Sequence, residues 1–161
     1  MKTKFQCRLM PALSALSAAA VTKRLSIGLA LGFSFGLPVH AQSPVELFVG
    51  INSGNAQTQG VALVLASQAV AQKAGVRVLL CSDGGQLAVK DKESATLKPV
   101  NKSPKEMLQG LMKAGAKVEV CALFLPNSDL KPTDPIEGIG VAKPADVAAY
   151  LLQANVKSLN Y

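Results

Sequence analysis

The feature that most constrains the fold of this chain is the alternation of short aliphatic runs with segments of helical periodicity. Three runs are rich in Val and Leu: VELFVGI over residues 45–51, VRVLLCS over 76–82 and KVEVCA over 117–122. Strands that are covered on both faces of a parallel sheet have this kind of composition. The sequence therefore predicts a three-layer α/β/α sandwich with a mainly parallel sheet of about four to five strands.

The clearest predicted helix covers residues 103–114. Ser103 and Glu106 have the spacing of a capping box, and Pro104 occupies the first helical position, where its missing N–H costs nothing. Gly115 is placed where it can end the helix in a left-handed conformation.

The remaining elements are predicted from the same signals. An Ala- and Val-rich helix is expected over residues 58–74, with Gly75 as its stop. A further helix over 144–154 and a closing strand over 156–161 complete the unit. Each strand except the last is thus followed by a segment that can cross one face of the sheet.

The first 41 residues have the organisation of a secretory signal peptide. They contain five basic residues and no acidic one, and Lys23 and Arg24 directly precede the apolar run LSIGLALGFSFGL of residues 25–37. This run is shorter than the roughly 20 residues that a spanning helix needs. We therefore expect cleavage after Ala41 and a periplasmic or secreted protein without a membrane anchor.

Removal of residues 1–41 lowers the net charge of the chain. The whole chain has a formal net charge of +7, of which five positive charges lie in this segment, so residues 42–161 keep a net charge of only +2. That balance gives little electrostatic support to a nucleic-acid partner. Residues 42–161 have the length of one α/β domain.

Two cysteines remain in this domain, and each closes a predicted strand: Cys81 follows VRVLL, and Cys121 follows KVEV. No histidine follows His40, so a Cys-His pair is excluded and a zinc site lacks ligands. The two thiols can be inert core residues, a structural disulfide, a redox-active pair or two independent thiols. A disulfide requires that the two strands be adjacent and level.

Two long connections follow the cysteine-bearing strands, at residues 83–102 and 123–143. Long loops in a compact domain are often functional, and ligands of open α/β sheets bind beyond the carboxyl ends of the strands. We therefore expect both loops to flank one pocket at that edge of the sheet.

Two turns at the same predicted edge supply further candidates for the pocket. They are Asn52, Ser53 and Gly54 after the first strand, and Asp83 and Gly84 after the second. Both segments also read as ordinary turns. Because neither G-x-G-x-x-G nor a P-loop motif is present, no nucleotide cofactor is expected, and no metal-ligand cluster stands out.

Four segments resemble the DsrE/DsrF-like sulfur-relay family: VGINSGNA, VLLCSDGGQLA, EMLQGLMKAGAKVEVCALF and PADVAAYLLQANVKSLNY. The most specific of them is GAKVEVC, in which Cys121 takes the position of the family's sulfur-carrying residue. The resemblance implies homo-oligomers of two, three or six subunits, a sulfur donor or acceptor protein as partner, and a persulfide on Cys121. Cys81 would then serve as a resolving or disulfide partner.

This chain also departs from the family pattern. The best-known relatives are cytoplasmic, and some have a C-x-x-C arrangement whose second position is Phe124 here. The leading hypothesis is an exported sulfur-handling or thiol-redox protein. The alternatives are a non-catalytic oligomeric module that binds a small ligand or a partner protein, and a purely structural disulfide-bonded domain. The sequence leaves open whether the domain is an enzyme.

Overall fold

The computed structural model describes residues 43–161, and the predicted signal peptide with its cleavage site lies outside the described residues. The described chain forms a five-stranded sheet in the order β4-β3-β2-β1-β5, in which every neighbouring pair is parallel. The strands are β1 (Glu46–Ile51), β2 (Gly75–Leu80), β3 (Lys117–Val120), β4 (Gly140–Val141) and β5 (Val156–Asn160). The predicted α/β class and parallel sheet are confirmed.

Three α-helices accompany the sheet: α1 (Ala56–Ala71), α2 (Pro104–Lys113) and α3 (Pro144–Leu151). Helices α1 and α2 pack against each other on one face, and α3 lies on the other face. Two short 3₁₀ segments, Ser82–Ala88 and Leu125–Asn127, follow the two cysteines. No helix in the described part of the chain is both long enough and apolar enough to cross a membrane.

The main core lies between the sheet and the layer formed by α1 and α2. Alternate strand residues point into it, because successive side chains of a strand face opposite sides. The strands contribute Val49, Ile51, Val78, Leu80, Val118 and Val120, and the helices contribute Ala62, Leu63, Leu108 and Leu111. The intervening positions, among them Phe48, Arg77 and Glu119, therefore face α3.

The start of α2 is built as the sequence predicts. Ser103 N donates to Glu106 Oε2 at 2.7 Å, and Glu106 N donates to Ser103 Oγ at 3.2 Å, which completes the capping box. The hydrogen bonds from the backbone and side chain of Ser103 lower the pKa of Glu106. This cap fixes the point where the long loop after β2 ends.

The end of α1 differs from the prediction. Helix α1 stops at Ala71, and Lys73 takes the left-handed conformation with φ of 65°. Lys73 N donates to Val70 O and Ala74 N donates to Ala69 O, the hydrogen-bond pattern of a Schellman motif. Gly75, the expected stop, is instead the first residue of β2.

Two other boundaries differ from the prediction. Strand β2 ends before Cys81 and β3 ends before Cys121, so both cysteines lie just beyond the strands and not inside them. The loop over residues 123–143 also contains the edge strand β4, which pairs with β3. A strand of two residues is too short to give a recognisable sequence pattern.

Candidate functional site

Cys81 and Cys121 lie side by side at the carboxyl edge of the sheet. Strands β2 and β3 are neighbours, Leu80 is paired with Val120, and Cys121 N donates to Leu80 O at 2.9 Å. The two strands are therefore adjacent and level. The two cysteines form a disulfide with their Cα atoms 5.1 Å apart, and both residues are half-buried.

The turn after Cys81 is tied to the end of β1. Cys81 N donates to Ile51 O at 2.9 Å, and Gly84 N donates to Asn52 O at 3.1 Å. A Cβ atom on Gly84 would collide with the Ile51 carbonyl, so this position requires glycine. Ser82 between them adopts a left-handed conformation with φ of 48°, an unfavourable geometry for a serine.

Phe124 closes the turn after Cys121. Its N–H donates to Cys121 O at 2.9 Å, and its side chain is buried. The ring lies directly over Gly85, where any Cβ atom would collide with it. The position that holds a second cysteine in some DsrE/DsrF-like proteins is thus occupied here by a packed aromatic ring.

The disulfide opens into a cavity of about 740 Å³ between the sheet edge and α3. Both cysteines line this cavity together with mainly apolar side chains. The sheet edge and the two turns contribute Leu79, Ser82, Asp83, Gln86, Ala122, Leu123, Phe124, Asn127, Ser128 and Ala142, and α3 contributes Pro144, Val147, Ala148 and Leu151. Asp83 is the one charged side chain among these lining residues.

The two long loops meet at this edge. Lys90 N donates to Asp134 O at 3.0 Å, and Ile136 N donates to Ala88 O at 2.7 Å. The cavity is lined by the first residues of each loop and by Ala142 near the end of the second one. The hydrogen bonds above hold the middle parts of the two loops to each other.

The predicted lining residues separate into two groups. Asp83 lines the disulfide cavity, and it also lines, with Gly54, a smaller neighbouring cavity of about 370 Å³. Asn52, Ser53 and Gly84 are not among the residues that line either cavity.

Hydrogen bonds that support the backbone involve Asn52, Ser53 and Gly84 instead. Ser53 Oγ accepts from Asn55 N at 3.1 Å, and Ser53 O accepts from the Gln59 side chain at 2.8 Å. Asn52 N donates to the carbonyl of Tyr161 at 2.7 Å, which joins the end of β1 to the carboxyl terminus. The ordinary-turn interpretation therefore describes these residues better than the ligand interpretation.

Sequence reasoning missed the wall that α3 provides. Val147 and Leu151 are one helical turn apart, a spacing that served only to predict the helix over residues 144–154. In the structure they line the cavity, and no residue of α3 is fully buried. Leu79 was also missed, although its position two residues before Cys81 places both side chains on the same face.

A buried ion pair lies beneath α3. Arg77 Nε donates to Glu119 Oε2 at 2.7 Å, and Arg77 Nη2 lies 2.7 Å from the same oxygen. The exposed Lys117 contacts the other oxygen of Glu119 at 3.0 Å. Arg77 Nη1 also donates to the carbonyl of Asp146 at 3.5 Å, which links the pair to the first turn of α3.

Tyr150 provides the second attachment of α3. The Arg77 guanidinium lies 5.0 Å from the centre of the Tyr150 ring, and the Tyr150 hydroxyl donates to Glu46 Oε2 at 3.0 Å. Burial, with this hydrogen bond and the negative charge of Glu46, raises the pKa of Tyr150 to about 12. Helix α3 is therefore held to the sheet mainly by polar and cation–π contacts on one side of the cavity.

Comparison with known proteins identifies the fold. No family model matches the chain, and no curated protein is detectably similar to it in sequence. Among solved structures it is similar to the ychN protein from E. coli, with a TM-score of 0.58 and 15% identity over 73% of this chain and 99% of that one. The chain has the DsrE/DsrF-like fold.

A second solved structure with the DsrE/DsrF-like fold is similar to a comparable degree. MTH1491 from Methanobacterium thermoautotrophicum, described as a protein of unknown function, matches with a TM-score of 0.56 and 13% identity over 73% of this chain and 99% of that one. The predicted resemblance is confirmed at the level of the fold. The chemistry of Cys81 and Cys121 has to be argued from this chain.

Proposed function

We propose that this DsrE-like domain is an exported sulfur-handling or thiol-redox protein whose reacting pair is Cys121 and Cys81. The observation that carries the proposal is the position of the disulfide, which lines a cavity of about 740 Å³ at the carboxyl edge of the sheet. A purely structural bridge gains nothing from a lining position, whereas a reacting one must be reached by its partner.

Cys121 is the proposed sulfur carrier. A donor persulfide, R–S–SH, transfers its outer sulfur to the Cys121 thiol, which gives a Cys121 persulfide and releases R–SH. Cys81 then attacks Sγ of Cys121, the persulfide S–S bond breaks, and the outer sulfur leaves as H₂S while the disulfide forms. The two thiols are oxidised by two electrons and the outer sulfur is reduced by two.

The cycle closes with an external reductant. Two further thiols, R–SH, reduce the Cys81–Cys121 disulfide and leave as R–S–S–R. Because Asp83 is the one charged side chain among the described lining residues, none of the lysines that the structure describes lines the cavity to stabilise a thiolate. Backbone N–H groups or a second subunit would have to do so.

Export and assembly belong to the same proposal. The predicted signal peptide over residues 1–41 directs the domain to an oxidising compartment, where a disulfide persists. The resemblance to the DsrE/DsrF-like family supports a homo-oligomer of two, three or six subunits and a protein that donates or accepts the sulfur.

Intact mass after incubation with benzyl persulfide, a donor without carboxylates, tests the chemistry. Reduced Cys81→Ser is expected to gain the mass of one sulfur atom, because Cys121 takes up sulfur that nothing then releases. Reduced Cys121→Ser should gain none, and reduced wild type should lose two hydrogens while H₂S appears. Equal uptake by both single variants, or none by Cys81→Ser, would show that Cys121 is not the carrier.

A non-catalytic binding module is the second candidate function. The mainly apolar lining of the cavity favours it, since small-ligand sites have this character. It predicts that the variant with both cysteines replaced by Ser binds the neutral apolar dye Nile red as tightly as wild type. It also predicts that reduced wild type takes no sulfur from benzyl persulfide.

A further inference from the structure

We infer that the cavity over the Cys81–Cys121 disulfide exchanges with thiols carried on apolar, uncharged groups and discriminates against thiols that carry carboxylates. The inference rests on the proposed thiol chemistry and names its substrate class. It follows from what surrounds the disulfide and from what is absent among the described lining residues.

The lining is apolar where an entering group would sit. Leu79 and Phe124 lie on the sheet side, and Val147 and Leu151 lie on α3 across the cavity. Removal of apolar surface from water on both sides favours a ligand that is itself apolar. A volume of about 740 Å³ exceeds what the attacking sulfur alone would need, so the groups beside that sulfur also contact the walls.

The rim of the cavity continues this apolar character. Leu123 follows Cys121 closely and keeps 75% of its surface exposed, and Leu151 on the facing helix keeps 40%. Both residues also line the cavity. A thiol flanked by aliphatic groups would cover these two side chains as it approached the disulfide.

The charge of the cavity lining disfavours the binding of a thiol that carries a carboxylate. The described lining residues include one carboxylate, Asp83, and no lysine, arginine or histidine. A ligand carboxylate would therefore enter a partly desolvated space that contains a like charge and no cationic side chain to pair with it. Thiols that bear carboxylates, such as glutathione, are poor substrates on this ground.

The exchange reaction needs only the thiol and the protein disulfide. A thiolate, R–S⁻, attacks one sulfur of the Cys81–Cys121 disulfide, the protein S–S bond breaks, and the other cysteine leaves as a thiolate that takes up the proton lost by R–SH. A second R–SH then releases R–S–S–R and the dithiol protein. The thiol substrate is the reductant.

The test uses matched blocked tripeptides with the oxidised full-length protein. Acetyl-Leu-Cys-Leu-amide, acetyl-Ser-Cys-Ser-amide and acetyl-Glu-Cys-Glu-amide differ only in the residues beside the cysteine. Each rate is divided by the rate of the same peptide with hydroxyethyl disulfide, which removes differences in thiol acidity. The Leu peptide is expected to react about tenfold faster than the Ser peptide, and the Glu peptide about tenfold slower.

Substitutions in the cavity lining test whether the lining residues cause the difference between the peptide rates. Leu151→Ser should reduce the ratio of Leu to Ser peptide rates, whereas Leu152→Ser, at an adjacent position outside the lining, should not. Asp83→Asn should raise the relative rate of the Glu peptide, and Asp129→Asn, also outside the lining, should not. A parallel comparison of benzyl thiol with mercaptoacetate asks whether the natural thiol is a small molecule or a cysteine of a polypeptide. If benzyl thiol also reacts faster than mercaptoacetate, a small apolar thiol is sufficient. If the apolar preference is seen only with the tripeptides, the substrate is a peptide.

The possible results distinguish a wrong substrate class from wrong thiol chemistry. Equal normalised rates for the three peptides, or a faster Glu peptide, would overturn the substrate class and leave the proposed thiol chemistry standing. The absence of exchange with every thiol would overturn the proposed chemistry and the substrate class with it.

Discussion

At the scale of single residues, the sheet face that meets α3 is distinguished by a buried ion pair between Arg77 and Glu119. Each keeps less than a tenth of its side-chain surface exposed, and the two are joined at 2.7 Å. Such a pair is costly to break, because the remaining partner keeps a buried charge without compensation. Arg77 of the pair also donates to the Asp146 carbonyl of α3. Loss of the pair would therefore also weaken the attachment of α3.

Glu119→Ala is expected to lower the free energy of unfolding by about 3 kcal/mol, because it leaves the Arg77 guanidinium buried and unpaired. Lys117→Ala removes only an exposed contact to the same carboxylate and should cost less than about 1 kcal/mol. Urea denaturation of both variants measures the difference. Similar costs for the two variants would mean that the buried pair contributes no more than its exposed neighbour.

Tyr150 makes the attachment of α3 sensitive to alkaline pH. Its folded-state pKa of about 12 lies above the ordinary value of 10, so the fold favours the neutral phenol. The corresponding stabilisation is complete below pH 10 and is lost as pH rises from 10 to 12. In a Tyr161→Phe background, where Tyr150 is the remaining tyrosine, phenolate absorbance should appear near pH 12. A transition at the ordinary value would contradict the partly buried hydrogen bond to Glu46.

At the scale of elements, the two helix ends on the α1 and α2 layer use the same motif with different residues. Lys73 after α1 and Gly115 after α2 both have positive φ, 65° and 92°, and both lie in Schellman hydrogen-bond patterns. Glycine adopts this conformation freely, whereas lysine pays a steric cost. The end of α1 therefore carries a local strain that the end of α2 does not.

Lys73→Gly is expected to raise the free energy of unfolding by about 1 kcal/mol, and Gly115→Ala to lower it by about the same amount. Gly110→Ala is the matched control within α2. A Cβ atom meets nothing at either Gly110 or Gly115, so the two substitutions differ only in backbone conformation. Gly110→Ala should stabilise the protein by about 0.5 to 1 kcal/mol through helix propensity, as shifts of the urea midpoint would show.

These elements also show how far a sequence can predict this fold. The capping box at Ser103 and the stop at Gly115 were predictable, because both depend on local hydrogen bonds and local φ values. Lys73 was not, since no residue type other than Gly or Asn signals positive φ strongly. The Cys81–Cys121 bridge depends on strand order, which no local pattern reports, so the sequence could state only the condition for it.

At the scale of the whole domain, the sheet separates stability from the candidate chemistry. The aliphatic core fills the space under α1 and α2, while the face toward α3 has the ion pair, the disulfide and the cavity. A site on the less packed face can rearrange around a reacting thiol without disturbing the core. Tight packing of α3 over the cysteines would have prevented access.

The core-bearing side also has an apolar surface that is exposed in the described part of the chain. It is formed by Val61 and Leu65 of α1 and by Val100 of the loop before α2. All three side chains are exposed, and they line one groove of about 750 Å³. Contiguous exposed apolar residues of this kind are typical of protein–protein contacts. The homo-oligomer proposed above needs a contact surface, and the next prediction tests this one.

Leu65→Asp is therefore expected to shift the protein toward the monomer, because it places a charge in the apolar contact. Gln68→Asp adds the same charge at an exposed α1 position outside the groove and should leave the assembly unchanged. Sedimentation of both variants and the wild type gives the subunit number directly. A wild type that sediments as a monomer would contradict the assembly, and equal dissociation of both variants would place the contact on another face of α1.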